Sequence, residues 1–370
     1  MKKYMMLFLV LAVILSSFAG CGAGSDTEDA TPVESSDDQM KVAFVYHGTV
    51  GDFGWFYTLD KAREKTNEAL DWVKCDKIEN VAVGTDAERV FTELCQEGYK
   101  VIVAGSLDYE ADILKVAEQY PDVAFLTASG SAFGDNVESF FPRRDQIWYL
   151  MGQIAAGLSK TGDLGLVGSL PNQPTIDVIL NAWTLGAQSV NPDTQVHVIW
   201  CNTFDDPAAE RDAALSLIEV GCDVILQGTN NAAHVQACEE MGVYSMSQWE
   251  DMNTYGPNYY VGGEKLNWEK YFIEVFPQIR DGEWTGRQYY PDFTKEVATL
   301  TDFYVDLPED ILARFEETKA KLLEDPNSMW EGPIYDSDGN LVIPEGERLE
   351  GDEAYTENKW TVKGVISSVK

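Results

Sequence analysis

From Lys41 onward, short apolar runs rich in β-branched residues alternate with stretches in which apolar positions recur every three or four residues. That alternation marks βα units, in which a buried parallel strand is followed by a helix packed back onto the sheet. The first unit is predicted as a strand over 41–46 and a helix over about 54–70, with Phe56, Leu59, Ala62, Thr66 and Ala69 on one face. Strands near 72–79, 101–104 and 123–127 then alternate with helices over 86–97 and 110–119 and complete one doubly wound lobe. A long helix over 145–159 ends at Lys160-Thr161-Gly162, where basic and glycine residues suit a C-terminus. Beyond it the pattern restarts, with strands over 164–167, 195–200, 223–227 and 243–246 and helices over 175–190, 207–219 and 231–241. The restart implies an α/β chain of two doubly wound parallel-sheet lobes. A strand around 259–261 and a helix over 268–279 are expected to return to the first lobe, and a helix at 309–323 and a turn-rich hairpin form the tail.

Open parallel sheets bind ligands beyond the carboxyl ends of their strands, so chemistry is sought in the loops there. The first such loop, from Tyr46-His47-Gly48 through Gly51-Asp52-Phe53-Gly54-Trp55 to Tyr57, is loaded with aromatics and one carboxylate. Its glycines are spaced G-x-x-G-x-x-G, and Asp52 and Phe53 sit where a pyrophosphate would need bare backbone amides. A carboxylate there repels phosphate, whereas Phe53 or Trp55 could stack on a neutral ring while Asp52 accepts from ring or exocyclic N–H groups. Three later strand ends repeat the theme: Trp200-Cys201-Asn202-Thr203-Phe204-Asp205-Asp206-Pro207, Gln227-Gly228-Thr229-Asn230-Asn231 and Ser247-Gln248-Trp249-Glu250-Asp251. Each joins aromatics or amides to carboxylates, as in an apolar pocket with a few placed polar groups. Trp72, Trp148 and Trp183 fall inside strand or helix patterns and are expected in the core, and Asp206 before Pro207 is expected as a helix cap. Asp336-Ser337-Asp338-Gly339-Asn340 resembles the start of a calcium loop, but the proline-containing Ile343-Pro344-Glu345-Gly346 breaks the pattern before its closing glutamate, and a solvated turn is the better reading.

No catalytic set stands out. His47, His197 and His234 lie in three different units, and Ser129 in Ala128-Ser129-Gly130-Ser131 is not a nucleophile elbow. No enzyme, cofactor or metal is expected. The 370 residues carry 27 Lys plus Arg against 62 Asp plus Glu, a net charge of −35, which argues against nucleic acid as a partner.

The first 21 residues form a separate object: Lys2-Lys3, an apolar run from Met5 to Leu15, then small residues up to Cys21. This is a secretory signal pattern, too short for a comfortable membrane span. Ala19-Gly20-Cys21 resembles the bacterial lipoprotein box, with Phe18 in place of the usual Leu, so Cys21 is the expected lipidation site and the mature N-terminus. Residues 22–39 are polar and acidic and read as a flexible tether. Cys75, Cys95, Cys201, Cys222 and Cys238 are odd in number and irregularly spaced, which is not a disulfide framework, although one pair remains possible. The domains expected are a signal peptide (1–21), a tether (22–39), a first lobe (40–143 plus about 258–300) and a second (144–257 plus about 301–370).

Taken together, the chain from about Lys41 onward resembles the basic membrane protein family, substrate-binding lipoproteins of ABC transporters with the type I periplasmic-binding fold. The resemblance rests on Gly51-Asp52-Phe53-Gly54-Trp55, Glu79-Asn80-Val81, Leu185-Gly186-Ala187 with Val190-Asn191-Pro192, and Phe204-Asp205-Asp206-Pro207-Ala208-Ala209-Glu210. Asp251-Met252, Asn267-Trp268 and Gly364-Val365 add to it. It implies two lobes joined by a hinge, capture of a purine nucleoside or base between them, and delivery to ABC permease and ATPase subunits by a lipid-anchored, monomeric protein on the extracytoplasmic face of the cell membrane. In the nucleoside-binding branch the first loop reads Asp-Lys-Ser-Phe-Asn, which places the Phe on Trp55 and the Asn on Phe56, and a Gly-Val-Asp-x-Asp-Gln loop places its two Asp on Trp249 and Asp251. Two polar positions have become aromatic. Ribose hydroxyls need amides or carboxylates, so the departures favour a bare base such as adenine. The candidate ligand residues are Tyr46, Asp52, Phe53, Trp55, Glu79, Ser129 and Trp268 on the first lobe's side and Trp200, Phe204, Asn230, Trp249 and Asp251 on the second's. A ligand-sensing surface receptor of the same fold and a secreted nucleoside-processing enzyme remain the alternatives.

Overall fold

The computed structural model describes residues 39–51, 53–356 and 358–367. The leader with Cys21, the acidic segment up to residue 38 and Asp52 lie outside them.

The first lobe runs β1 (Met40–Val45), α1 (Trp55–Ala69), β2 (Val73–Ile78), α2 (Thr85–Gln96), β3 (Val101–Ala104), α3 (Glu110–Ala117), β4 (Ala124–Ala128) and β5 (Val137–Phe140). The second runs α4 (Asp145–Leu158), β6 (Asp163–Gly168), α5 (Pro174–Val190), β7 (Gln195–Trp200), α6 (Pro207–Glu219), β8 (Val224–Gly228), α7 (Ala233–Met241), β9 (Tyr244–Ser247) and β10 (Tyr260–Leu266). The remainder comprises α8 (Trp268–Asp281), β11 (Gln288–Tyr289), β12 (Ala298–Leu300), α9 (Glu309–Glu324), a hairpin of β13 (Ile334–Tyr335) and β14 (Leu341–Ile343), α10 (Glu353–Thr356) and β15 (Val365–Ser367).

Two sheets result, in the orders β11-β5-β4-β3-β1-β2 and β12-β10-β9-β8-β6-β7-β15. All pairings in the first are parallel, and in the second only β12 runs antiparallel to its neighbour. Helices cover both faces of such a sheet, so its central strands are apolar on both sides, as the wholly buried Val101–Ala104 and Ala124–Ala128 are. Helix α4 is buried almost all round. It packs against α5 with backbones in contact: a Cβ on Gly152 would lie 2.1 Å from the Trp183 carbonyl oxygen, and one on Gly186 would lie 2.0 Å from that of Tyr149. Trp148 and Trp183 are fully buried beside this crossing, as expected, while Trp72 is half-buried under the Arg280 guanidinium.

One expectation fails. The strand placed near 259–261 in the first lobe runs from Tyr260 to Leu266 and pairs in the second sheet, parallel to β9 and antiparallel to β12. Its Gly-Gly pair lets it lie close to β9, where a Cβ on Gly263 would meet the Ser247 carbonyl oxygen at 2.3 Å, and the apolar pattern alone carries no information about which sheet edge it joins. The return to the first lobe begins one element later, with α8, whose Phe272 packs edge-on against Phe44 of β1 at 5.0 Å. The chain thus passes between the sheets three times, after β5, after β10 and after β11.

Asp206 caps α6 by accepting from the backbone N–H groups of Ala208 and Ala209, both at 3.1 Å. Asp336 closes the β13–β14 hairpin by accepting from the backbone N–H groups of Asp338 at 3.0 Å and Asn340 at 2.8 Å, which is the turn that its sequence favours. The five described cysteines are all free thiols. No helix of the described residues is long and apolar enough to cross a membrane.

Candidate ligand-binding site

Backbone strain concentrates at one end of both sheets. Among the described residues, Phe53, Asn80, Ser129, Asn172, Asn202 and Trp249 have φ between 57° and 75°, and each sits in the loop that leaves the carboxyl end of a strand. Asparagine tolerates that conformation; for Phe53 and Trp249 it costs on the order of 1–3 kcal/mol, which persists only where the surroundings hold the residue in place.

The two lobes meet at these ends. Trp55, the first residue of α1, stands edge-on to Trp249 of the β9 loop with ring centroids 5.2 Å apart. Phe53 approaches Tyr255 at 5.7 Å, and the Lys61 ammonium reaches the Glu250 carboxylate at 2.5 Å. On the first lobe's side the Trp55 indole N–H donates to the Gly105 carbonyl at 2.5 Å, beyond the end of β3. Trp268 lies behind it, fully buried at a centroid distance of 5.4 Å, and donates to the Thr58 hydroxyl. Trp268 therefore supports Trp55 from the core. Tyr46 is likewise fully buried, against Phe56, and burial pushes its hydroxyl well above the usual tyrosine range. Phe53 stacks on Tyr57 at 4.8 Å. The Glu79 carboxylate accepts from the backbone N–H of Val50 at 2.9 Å and so props the first loop. Ser129 is half-buried, its N–H donating to the Phe140 carbonyl.

On the second lobe's side Trp249 is only 4 % exposed. Its indole N–H donates to the Asn230 side-chain oxygen at 2.9 Å and to the Thr229 carbonyl at 3.1 Å. The Arg144 guanidinium covers the ring at 4.1 Å from its centroid. Arg144 is itself fully buried, paired through Nε with Glu264 at 2.6 Å and through NH2 with the Gln248 side-chain oxygen at 2.6 Å. The Phe204 carbonyl accepts from the backbone N–H of Asn230 at 2.8 Å, which joins the loops after β7 and β8. Asp251 accepts from the Asn253 backbone at 2.8 Å and from the Tyr304 hydroxyl. Trp200 donates to Ser367 of β15 at 2.8 Å and covers Gly168, where a Cβ would meet its ring at 2.5 Å.

Eleven of the twelve candidate residues are thus at or directly behind the strand ends, Trp200 among them with its indole committed to the C-terminal strand, and Asp52 lies outside the described residues. Arg144, Glu264, Lys61 and Tyr255 escaped the sequence reading, and Gln248 lay within a strand-end stretch that it singled out but was not among the candidates. A signal existed for the first: Arg143-Arg144 follows an apolar Phe140-Phe141-Pro142 in a chain poor in cations. The remaining chemistry is dispersed. His47 faces Asp108 at 3.3 Å, His197 faces Asp163 at 2.8 Å, and His234 is held neutral in the core with its pKa lowered by burial to about 4. Among the described residues no group of three or more His, Cys, Asp or Glu could hold a metal ion. What the strand ends offer is aromatic surface from two lobes, with amides and carboxylates at its margins, an arrangement suited to binding a planar molecule.

The chain is 35 % identical over 331 residues to a purine-binding protein of Brucella abortus, covering 89 % of this chain and 94 % of that one. It is 28 % identical over 328 residues, 88 % of this chain and 83 % of the relative, to a Haloferax volcanii protein provisionally named as an ABC transporter glucose-binding protein. An ABC transporter solute-binding protein from Conexibacter woesei shares the fold at a TM-score of 0.66 with 23 % identity, over 78 % of this chain and 97 % of that one. The fold is accordingly of the periplasmic-binding-protein type, two parallel α/β lobes with the strand ends facing one another. The family model described as ABC transporter substrate-binding protein, PnrA-like, matches residues 39–325, and the chain belongs to that family, Bmp.

Proposed function

We propose that this member of the family captures a purine base, adenine in preference to a nucleoside, between the strand ends of its two lobes and hands it to an ABC permease. The observation that carries the reading is the pairing of Trp55 with Trp249 across the lobes, 5.2 Å apart, at the two positions where a nucleoside site of this family would carry Phe and Asp. Two indoles stack on a base; they do not satisfy ribose hydroxyls. In this reading Phe53, Phe204 and Asn230 extend the surface, and the carboxylates of Asp251 and of Asp52, which lies outside the described residues, accept from the base's N–H edge. The lobes, about 40–143 with the α8–β11 segment and about 144–266 with the tail, close on the ligand because it contacts both and so stabilises the closed state by its differential affinity. Cys21 is lipidated and residues 22–39 tether the monomeric body at the extracytoplasmic face of the membrane. No bond is made or broken.

Native mass spectrometry of the protein as purified, followed by calorimetry with adenine, adenosine and D-glucose, tests this. Tight adenine binding with weak adenosine binding is expected. Tight nucleoside binding with none to free bases would overturn the preference for a base, and binding of D-glucose alone would overturn the purine reading.

A further inference from the structure

We infer that Glu210 is a positioning residue of the second lobe's half of the site: its buried carboxylate draws the loops after β7 and β8 together and thereby fixes the indole of Trp249. The inference rests on the proposed binding site at the strand ends.

Glu210 lies in the first turn of α6 and is 0 % exposed. One carboxylate oxygen accepts from the Thr229 hydroxyl at 2.6 Å; the other accepts from the Asn231 side-chain amide at 2.7 Å and the backbone N–H of Asp206 at 3.2 Å. The same Asn231 amide donates to Asp205 at 3.0 Å, so one side chain clasps both loops. The Thr229 carbonyl is the acceptor on which Trp249, Gln248 and Gln227 converge, at 3.1, 2.9 and 2.8 Å. Glu210 thus lies one residue away from the group that orients the indole. Helix capping accounts only for the bond from the Asp206 N–H; the bonds from Thr229 and Asn231 come from outside the helix. A buried carboxylate is also a poor choice for stability alone, since its desolvation must be offset by the bonds it accepts.

Among the described residues no cation pairs with this carboxylate. Asp205 and Asp206 face it from its own segment and the Cys201 thiol from the end of β7, while the loop after β8 presents the neutral Thr229 and Asn231, ahead of the neutral His234 of α7. Burial pushes the Glu210 carboxyl up to about 7. The ionised form accepts three donors and holds the loops; the protonated form gives up part of that grip. Ligand affinity is therefore expected to rise through neutral pH.

The test uses the whole chain with indole-15N tryptophan, the Trp249 resonance being assigned with Trp249→Phe. In the wild type that resonance is expected to shift with a midpoint near pH 7, and adenine affinity to be several-fold higher at pH 8.5 than at pH 5.5. Glu210→Gln, which mimics the protonated carboxyl, is expected to remove the step and to hold the affinity at its low-pH value throughout. Thr229→Val, which deletes one donor to the ionised form, is expected to move the midpoint upward and serves if Glu210→Gln folds poorly. A Trp249 resonance that ignores pH, or adenine binding that is the same in Glu210→Gln as in the wild type at every pH, overturns the inference. If the wild type binds no adenine yet the resonance still titrates through Glu210, the positioning role stands and the purine reading falls.

Discussion

The two halves of the site are built differently. On the second lobe Trp249 is sealed between Arg144 and the Thr229 and Asn230 acceptors, and those are fixed in turn by Glu264, Gln248 and Glu210. On the first lobe the described part of the loop ahead of Trp55 is more exposed, with Gly51 at the surface and Phe53 half-buried, and its ties include the bond from Val50 to Glu79, the contacts of Phe53 with Tyr57 and Tyr255, and the Trp55 indole on Gly105. A half that is already ordered adds little entropic cost on binding, whereas a loose half must be ordered by the ligand. The second lobe is therefore the template and the first lobe the part that adapts.

The strongest way to break that contrast is Glu264→Ala. It leaves the buried Arg144 guanidinium without its carboxylate and the Trp148 indole without an acceptor. Removing one partner of a buried pair costs about 3–5 kcal/mol, and urea denaturation is expected to show a loss in that range. Phe53→Ala on the first lobe is expected to cost under about 1 kcal/mol, as substitutions in exposed loops do. Equal losses in the two variants would dissolve the distinction between a rigid and an adaptable half.

Trp55→Ala comes next, read in binding. A stacked aromatic near the centre of an interface is worth about 2 kcal/mol, or roughly 30-fold in affinity, and calorimetry with adenine is expected to show a loss of that order. Trp55→Phe keeps a ring but drops the hydrogen bond to Gly105, so it should lose about 1 kcal/mol, roughly fivefold in affinity and less than Trp55→Ala. If Ala and Phe behave alike, stacking is not what Trp55 contributes.

A smaller effect tests the second lobe's half by pH. Burial raises the Glu210 carboxyl from the ordinary 4.5 to about 7, so the folded state holds a proton that the unfolded state has released; this contribution to stability is complete below about 4.5 and is lost as pH rises through 7. His234, lowered from 6.5 to about 4, works the other way: its contribution is complete above 6.5 and is lost as pH falls towards 4. The two oppose each other between about 4.5 and 6.5. Glu210→Gln removes one of them, so its stability is expected to fall more steeply than the wild type's as pH drops from 7 to 4.5 in denaturant titrations. Parallel curves would mean that Glu210 is not protonated preferentially in the folded state.

Most of this architecture is legible in the sequence, because short apolar runs rich in β-branched residues such as Val101–Ala104, alternating with longer amphipathic stretches, read as strands buried on both faces between helices. What escapes is short or decided at a distance. β5 and β15 are four and three residues long, β15 gains its identity from β7 far away in the chain, and β10 joins the second sheet through a Gly-Gly contact with Ser247 that no local pattern announces. The aromatics of the site could be found because Trp and Phe stand out at strand ends. Glu264 and Glu210 could not, and Arg144 only by its place after Phe140-Phe141-Pro142, because a charged residue carries little mark that it will be buried, and the partners that make burial tolerable lie 120 residues apart for Arg144 and Glu264 and 19 and 21 for Glu210 with Thr229 and Asn231.

The gentlest test concerns the contact between the halves. Lys61 on α1 and Glu250 after β9 form an ion pair at 2.5 Å across the lobes, with the lysine one-third exposed and the carboxylate nearly buried. Glu250 also accepts from the backbone N–H of Asp251 at 3.1 Å, so it keeps a partner when the lysine is lost. Partly exposed pairs are worth about 0.2–1 kcal/mol and weaken with salt. Lys61→Met is therefore expected to leave global stability almost unchanged. A few tenths of a kcal/mol is nevertheless enough to alter the balance between two lobe arrangements of similar energy. Distances between spin labels, one on each lobe, are expected to show a larger open population in the ligand-free variant at low salt, converging on the wild type at high salt and in the presence of adenine. If the populations match at every salt concentration, the lobes are held by the aromatic contacts of Trp55 and Phe53 alone, and the first lobe's half is more ordered before binding than its exposure implies.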